Sequence, residues 1–422
     1  MWIASLENKN AAAEAPRPYS EIPMADRSTS PRHHLHLYFS HWELESRAWR
    51  AGSAAVESGA ASAVTYVGYG WHGLPQEQEL KTNQRIVRLG SPPPPLGNPK
   101  WRRALALPCW WVAVIRRYGR RRDISIVTAH SLASLPVGVV VSRLCGAGLL
   151  YDAHELETER SGWPAPVRKI AKWVERALIR LCDHTLVVND TIRDWYVKTY
   201  GELRISTVRN VPIIPSSNGE STLRKQLSIS EDDLVCVYCG ILTKGRFLPE
   251  LVEVFSGLSP SQHLVFIGFG PLEGLIKSWA SRLPNVHVLP AVPQEQLIPL
   301  MSGADIGLFF TNRDAGSSYD YSLPNKVFEY AGARLGLLVG TGPELVRFVA
   351  EYPWAQTCRS DVAAVRRAIA EVDLAGLRRV RTEMRYQPPS WTSESGILLD
   401  VYRRVDARVI GRGRKSRAVE RG

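Results

Sequence analysis

The chain has 422 residues, 45% hydrophobic and 22% charged, a globular composition too long for one ordinary core, so two domains are expected. With 53 Lys and Arg against 41 Asp and Glu, the net charge of +12 favours an anionic partner, whether phosphate ligands, an acidic membrane surface or nucleic acid. The longest apolar run, ALALPCWWVAVI at 104–115, contains Pro108 and falls short of the about 18 residues of a membrane span. No apolar signal core opens the chain, and a cytoplasmic protein is the expectation.

Residues 1–33 are polar and poor in β-branched side chains, and read as a disordered extension. Short apolar runs then alternate with helical periods: LHLYFS, AVTYVGY, RIVRL, ISIVTAH, GLLYDAHE, TLVV and STVRNV. Between them, 163–182 places Val167, Ile170, Val174, Leu178 and Leu181 at helical spacings. Strand, helix and strand in succession predict a parallel sheet, and 34–212 reads as a first Rossmann-like domain. Within it SPPPPLGNP (91–99) is a rigid polyproline-like loop. The following KWRRALALPCWWVAVIRRYGRRRD (100–123) brackets a Trp-rich centre with arginines. That composition suits a helix lying on an anionic bilayer, or a core helix with basic ends.

After a Pro- and Ser-rich linker at 211–221, a second series begins: DLVCVYCG, HLVFIGFG, VHVLPA, IGLFF and GLLVG. Residues 213–389 read as a second Rossmann-like domain, and 409–422 as a basic disordered tail. The six cysteines are scattered in apolar surroundings, as buried thiols of a reducing compartment are. Cys236 and Cys239 form a CxxC, but their odd spacing puts them on opposite faces of a strand. The expected fold class is α/β, two doubly wound parallel-sheet domains facing a cleft.

The stretch SLPNKVFEYAGA (322–333) is the most informative. As a helix it would begin with Pro324 in the first position and Ser322 as cap. Asn325, Lys326 and Glu329 then share one face, opposite Val327, Phe328 and Ala331. Unpaired amides, the helix dipole and a lysine make a phosphate site. A carboxylate one turn further can accept from two adjacent hydroxyls, as on a ribose. A nucleoside diphosphate is the ligand suggested.

Other strand-end loops extend this site. GILTKGR offers Gly240, Lys244 and Arg246, GFGP offers Gly268 and Gly270, and LPAVPQEQL (289–297) offers main chain to a base. Glu273 stands where a dinucleotide fingerprint needs its third glycine, which disfavours a nicotinamide-dependent dehydrogenase. In the first domain, YDAHE puts Asp152, His154 and Glu155 at a strand end, as candidate catalytic groups or a structural hydrogen-bond cluster. His41, Glu43, Glu45 and Arg47 follow the first strand, and His130 ends another; these serve an acceptor's hydroxyls or cap helices. No nucleic-acid recognition motif accompanies the basic charge.

Taken together, GADIGLFF, SLPNKVFEY, TGPELVRFV, GILTKGRFLPELVE, VFIGFGPLEGLI, LLYDAHELE and DHTLVVND resemble a GT-B glycosyltransferase of the retaining family 4 type. The likeness covers roughly residues 34–405. It implies a UDP- or GDP-linked sugar donor, with Arg246 and Lys326 on the diphosphate, Glu329 on the ribose, and Val292, Leu323 and Asn325 in the donor set. His154 would stand beside the reacting sugar, so that His154, Arg246 and Lys326 form the catalytic group. His41, Glu45, Arg47, His130, Asp152 and Glu155 would face a saccharide or lipid-linked acceptor, on a first domain completed by a C-terminal helix (390–408); the basic segment 100–123, read as membrane-facing, would put the protein at the inner face of the plasma membrane. No metal or separate cofactor is expected. Many members carry a glutamate eight positions before the one matching Glu329, where this chain has Tyr321; a subgroup with PNKxFEY lacks it too. Two alternatives follow, a non-catalytic nucleotide-sugar or partner-binding relative and a nucleotide-sugar epimerase of the same fold.

Overall fold

A computed structural model describes residues 32–43, 45–90, 100–159, 163–215, 221–312, 321, 323–352, 354–383 and 386–419, without the side chains of 100–104 and 413–419. The expected N-terminal extension up to 31, the proline run 91–99, Ser322 and part of the linker lie outside the described residues. Described residues up to Arg209 form one unit with Ser393 onward, and Asn210–Thr392 form the other.

The N-terminal unit runs β1 (His33–Leu37), α1 (Ser46–Glu57), β2 (Ala63–Tyr69), β3 (Glu77–Lys81), β4 (Gln84–Leu89), α2 (Lys100–Tyr118), β5 (Ile124–His130), α3 (Leu135–Cys145), β6 (Gly148–Ala153), α4 (Ala165–Ile179), β7 (His184–Val187), α5 (Asp190–Tyr200) and β8 (Ile205–Thr207). Its sheet order is β3-β4-β2-β1-β5-β6-β7-β8. Every pairing is parallel except β3 with β4. Helices cover a parallel sheet on both sides, so β1 and β6 are buried at every residue, although β1 reads HHLHL and buries three histidines. Right-handed crossovers from β4 to β5, β5 to β6 and β6 to β7 lay α2, α3 and α4 side by side on one face, where α3 touches both neighbours.

The C-terminal unit runs α6 (Leu223–Leu227), β9 (Leu234–Cys239), α7 (Leu248–Ser256), β10 (Gln262–Ile267), α8 (Glu273–Ala280), β11 (Val286–Leu289), α9 (Gln294–Met301), β12 (Ile306–Phe309), α10 (Asn325–Gly332), β13 (Gly336–Val339), α11 (Pro343–Glu351), β14 (Ala355–Thr357), α12 (Val362–Ala370) and α13 (Leu374–Glu383). All its strands are parallel, in the order β11-β10-β9-β12-β13-β14. The last helix, α14 (Trp391–Val419), packs Val405 so closely on Gly148 that a Cβ there would fall 2.3 Å from it. Its backbone stays helical through most of 409–422, which the sequence presented as a disordered tail. Among the described residues no helix is long and apolar enough to cross a membrane.

Two helices differ from expectation. In α2 the Trp110 indole is fully buried and donates to Gly68 O at 2.7 Å, while Trp111 donates to Ala133 O at 2.9 Å. The segment packs one side on the sheet through Trp110, Val114 and Tyr118, and its other side, with Leu105, Cys109 and Val112, faces out. In α4 the amphipathic stripe is turned outward, and Ala171, Glu175 and Ile179 face in. Glu175 is held by the hydroxyls of Tyr151, Tyr196 and Tyr200 at 2.6, 2.7 and 2.6 Å. Burial and the adjacent carboxylate raise all three phenols, so they keep their protons and donate.

The entry to β12 depends on another interior acid. Asp305 accepts from Arg224 at 2.7 Å, from Arg378 at 2.8 Å and from the Val235 amide at 2.9 Å, tying α6, α13 and β9 together. Asp305→Ala leaves two guanidinium groups and an amide short of a partner. It is expected to cost about 3–5 kcal/mol, read as a lower urea midpoint at unchanged slope.

Candidate functional site

In the C-terminal unit the loops after β9 and β10 and the start of α10 come together. Gly240, with φ +119°, turns the chain out of β9, and a Cβ there would stand 3.0 Å from Lys326 Nζ. Glycine leaves the ammonium its space. Gly268 and Gly270, at φ +155° and +151°, are also needed for packing. Their missing Cβ positions lie 2.0 Å from Gly240 O and 2.5 Å from Leu242 O. They let two loops interlock through the Leu242 N to Phe269 O bond of 2.8 Å and the Leu272 N to Leu242 O bond of 2.9 Å.

Lys326 lies in the first turn of α10 with its Nζ 3.9 Å from the Tyr238 ring centroid and 5.6 Å from that of Phe309. The Arg246 guanidinium stands 5.9 Å from the same Phe309 ring. Two cations, one on the loop after β9 and one in the first turn of α10, thus face one aromatic ring. Burial pushes Lys326 down to about 8; Arg246 adds to the shift, while Cys239 and Glu329 oppose it. Glu329, buried one turn further, accepts from Gln294 Nε2 at 2.9 Å and from the Cys239 thiol at 3.5 Å. Tyr330 fixes the helix from behind, accepting from Cys239 N at 3.0 Å and packing where a Cβ on Gly307 would come within 2.3 Å.

The other members of the proposed donor set are more dispersed. Leu323 is buried, Asn325 and Val292 are half-buried, and Lys244 is exposed. Pro324 precedes α10 in extended conformation, φ −73° and ψ 150°, one place earlier than the sequence suggests. Sequence reasoning missed Gln294, Tyr238 and Phe309. The only signal for Gln294 was its place in the PQEQL turn.

In the N-terminal unit, Asp152 ends β6 and binds Arg47 through Nη2 to Oδ1 at 2.9 Å and Nε to Oδ2 at 3.1 Å. Arg47 also donates to Val208 O at 2.7 Å. Burial alone would raise the carboxyl, but Arg47, followed by His154 and His130, holds it well below the usual range. Its Oδ2 lies 3.2 Å from His130 Nδ1 and 3.3 Å from His154 Nε2, and those two nitrogens are 3.0 Å apart. His130 Nε2 is 2.9 Å from His36 Nδ1, and His36 Nε2 is buried without a partner.

One set of tautomers serves the carboxylate and the His36–His130 contact, with the His130 and His154 N–H groups side by side on one oxygen. His36 donates from Nδ1 to His130 Nε2, His130 donates from Nδ1 to Asp152, and His154 donates from Nε2 to Asp152. Burial keeps His36 neutral and lowers His130 to about 4. His154, the one partly exposed ring of the three, is left with an unprotonated Nδ1. His130, Asp152 and His154 also present ligand atoms within 4.8 Å of one another, the donor set of a divalent metal.

This corrects the acceptor-facing reading of several residues. Arg47, His130 and Asp152 are buried and support His154 from behind. Glu45 accepts from Ser40 Oγ at 2.8 Å, the half-buried His41 packs 4.9 Å from the Trp71 ring, and Glu155 is exposed. Glu43 pairs with Arg88 at 3.2 Å. His36 and Tyr38, whose ring centroid is 5.5 Å from that of His154, were missed.

Residues 59–212 match the model described as Glycosyltransferase Family 4. That match lies almost entirely within the N-terminal unit. The chain as a whole has the GT-B fold of several solved structures. It is similar to sucrose-phosphate synthase from Thermosynechococcus elongatus at 15% identity and TM-score 0.63, with 92% of this chain and 99% of that one covered. It is similar to Anabaena HepE in complex with UDP and glucose at 12% identity and TM-score 0.57, covering 92% and 100%. It is also similar to WaaG, a glycosyltransferase involved in lipopolysaccharide biosynthesis, at 15% and 0.55, covering 89% and 98%. No curated protein sequence matches the chain.

Lys326 predicts a pH signature for anion binding. Below about pH 8 the ammonium is already charged; above it, an anion that needs the charge must bind together with a proton. Affinity for inorganic pyrophosphate, measured by calorimetry, is expected to fall by up to about tenfold per pH unit above that point. Lys326→Met is expected to flatten the profile.

Proposed function

We propose that this protein is a retaining glycosyltransferase that moves a sugar from a UDP- or GDP-linked donor to a saccharide or lipid-linked acceptor in glycoconjugate or polysaccharide synthesis. The observation that carries the reading is the pair of cations, Lys326 and Arg246, facing the Phe309 ring one helical turn from the buried carboxylate of Glu329. Two positive charges suit a diphosphate, and a carboxylate one turn away suits the two hydroxyls of a ribose. Anabaena HepE, which shares the fold, is described in complex with UDP.

In this reading Lys326 and Arg246 hold the departing nucleoside diphosphate. The negative charge that grows on the leaving oxygen as the glycosidic bond breaks is stabilised by fixed cations, so no divalent ion is required. Glu329 exchanges its Gln294 hydrogen bond for ribose hydroxyls. His154, oriented by Asp152, serves the reacting sugar. The acceptor hydroxyl attacks from the side that the phosphate leaves, which retains the anomeric configuration, and the phosphate takes its proton.

A charge-assisted contact contributes about 1.5–3 kcal/mol, so Arg246→Ala or Lys326→Ala is expected to slow transfer roughly ten- to a hundredfold. The measurement is initial rate with a panel of UDP- and GDP-sugars; unchanged turnover would remove these residues from the site. His154→Ala is expected to lower kcat more than it raises donor Kd. Chelation with EDTA is expected to leave the rate unchanged. A loss restored by a divalent ion would instead bring the His130, Asp152 and His154 donor set into the reaction.

Tyr321, in place of an acidic residue eight positions before Glu329, favours a second reading, a binder of nucleotide sugars without turnover. Donor binding in calorimetry with neither hydrolysis nor transfer would select it.

A further inference from the structure

The row formed by α2, α3 and α4 has a composition that neither a core nor an ordinary surface explains. Together these helices hold ten Lys and Arg and one acidic residue, and that one, Glu175, is turned into the core. On the outside, α4 shows Ile170 at 64% and Trp173 at 72% exposure, α3 shows Val140 and Leu144, and α2 shows Leu105 and Val112. Exposed cations stand among them: Arg116 and Arg120 at the end of α2, Arg143 on α3, and Lys169, Arg176 and Arg180 on and after α4. Acids at the border are already paired, Glu159 with Lys172 and Arg168, and Asp194 with Arg193.

Charge decides among possible occupants. A second copy of the chain would bring one cationic face against another and repel it. A nucleic acid would meet the arginines but give Trp173 and Ile170 nothing apolar to enter. An anionic bilayer supplies both, phosphates at the surface and hydrocarbon beneath, and Trp is the residue that settles at that boundary. We propose that the outward face of α2, α3 and α4 docks this protein on an anionic lipid bilayer, with Trp173 and Ile170 entering the headgroup layer and the surrounding cations meeting lipid phosphates. This goes beyond the transferase reading and does not depend on it, because docking needs neither donor nor turnover.

The test is flotation of the full chain with vesicles of phosphatidylcholine alone or mixed with phosphatidylglycerol. Wild type is expected to float with the mixed vesicles, poorly with the neutral ones, and to be released by about 0.5 M salt, where the screening length is a few ångströms. Ile170→Glu with Trp173→Glu is expected to reduce binding at least about tenfold, and Lys169→Glu with Arg176→Glu and Arg180→Glu roughly a hundredfold or more. Trp173→Ser is a milder companion, and circular dichroism verifies that each variant is folded. Val346→Glu, an exposed apolar site on α11, is expected to bind as wild type does.

Equal flotation on neutral and anionic vesicles, or α4 variants that bind like wild type, would overturn the proposal. So would light scattering that shows a wild-type dimer split by the α4 substitutions, with no vesicle binding.

Discussion

The N-terminal site rests on a carboxylate kept ionised away from water. Asp152 would be costly in the interior without Arg47, and Arg47 without Asp152 would be worse. Once the pair exists, one carboxylate oxygen is left to receive two imidazoles, and a strand end becomes an oriented site. The Arg47 bond to Val208 O ties the same pair to the chain beyond β8. The position of His154 follows from one ion pair between α1 and β6.

The C-terminal unit arranges its charges differently. Asp305 is surrounded by guanidinium groups at the start of a strand, and its function is architectural. Lys326 and Arg246 instead face the same ring, and burial, with Arg246 adding to it, weakens the hold of Lys326 on its proton. Aromatic faces from Tyr238 and Phe309 lie against the Lys326 ammonium.

Much of this was legible in the residues, and for identifiable reasons. Parallel strands covered on both sides are apolar throughout, so β2, β5 and β9 could be located within about one residue. β3 was not found, because EQELK is a polar antiparallel edge strand with alternate residues exposed, and β14 is only three residues long. Periodicity locates Lys326 and Glu329 on one side of a helix, and their convergence with Arg246 follows from parallel topology. It cannot tell the inside of a helix from the outside. The stripe of α4 was visible as a pattern, but its direction depends on Tyr151, Tyr196 and Tyr200, remote in sequence from much of the helix. Likewise His130 could be placed at a strand end, but not beneath His154.

The three phenols around Glu175 also act on the helix as a whole. Rolling α4 about its axis to hide Trp173 would drag a carboxylate away from all three of its donors and leave four polar groups stranded in apolar surroundings. The helix is thus pinned like a key in a lock, unable to relieve its oily side by turning. That side stays turned outward whatever comes to wet or cover it.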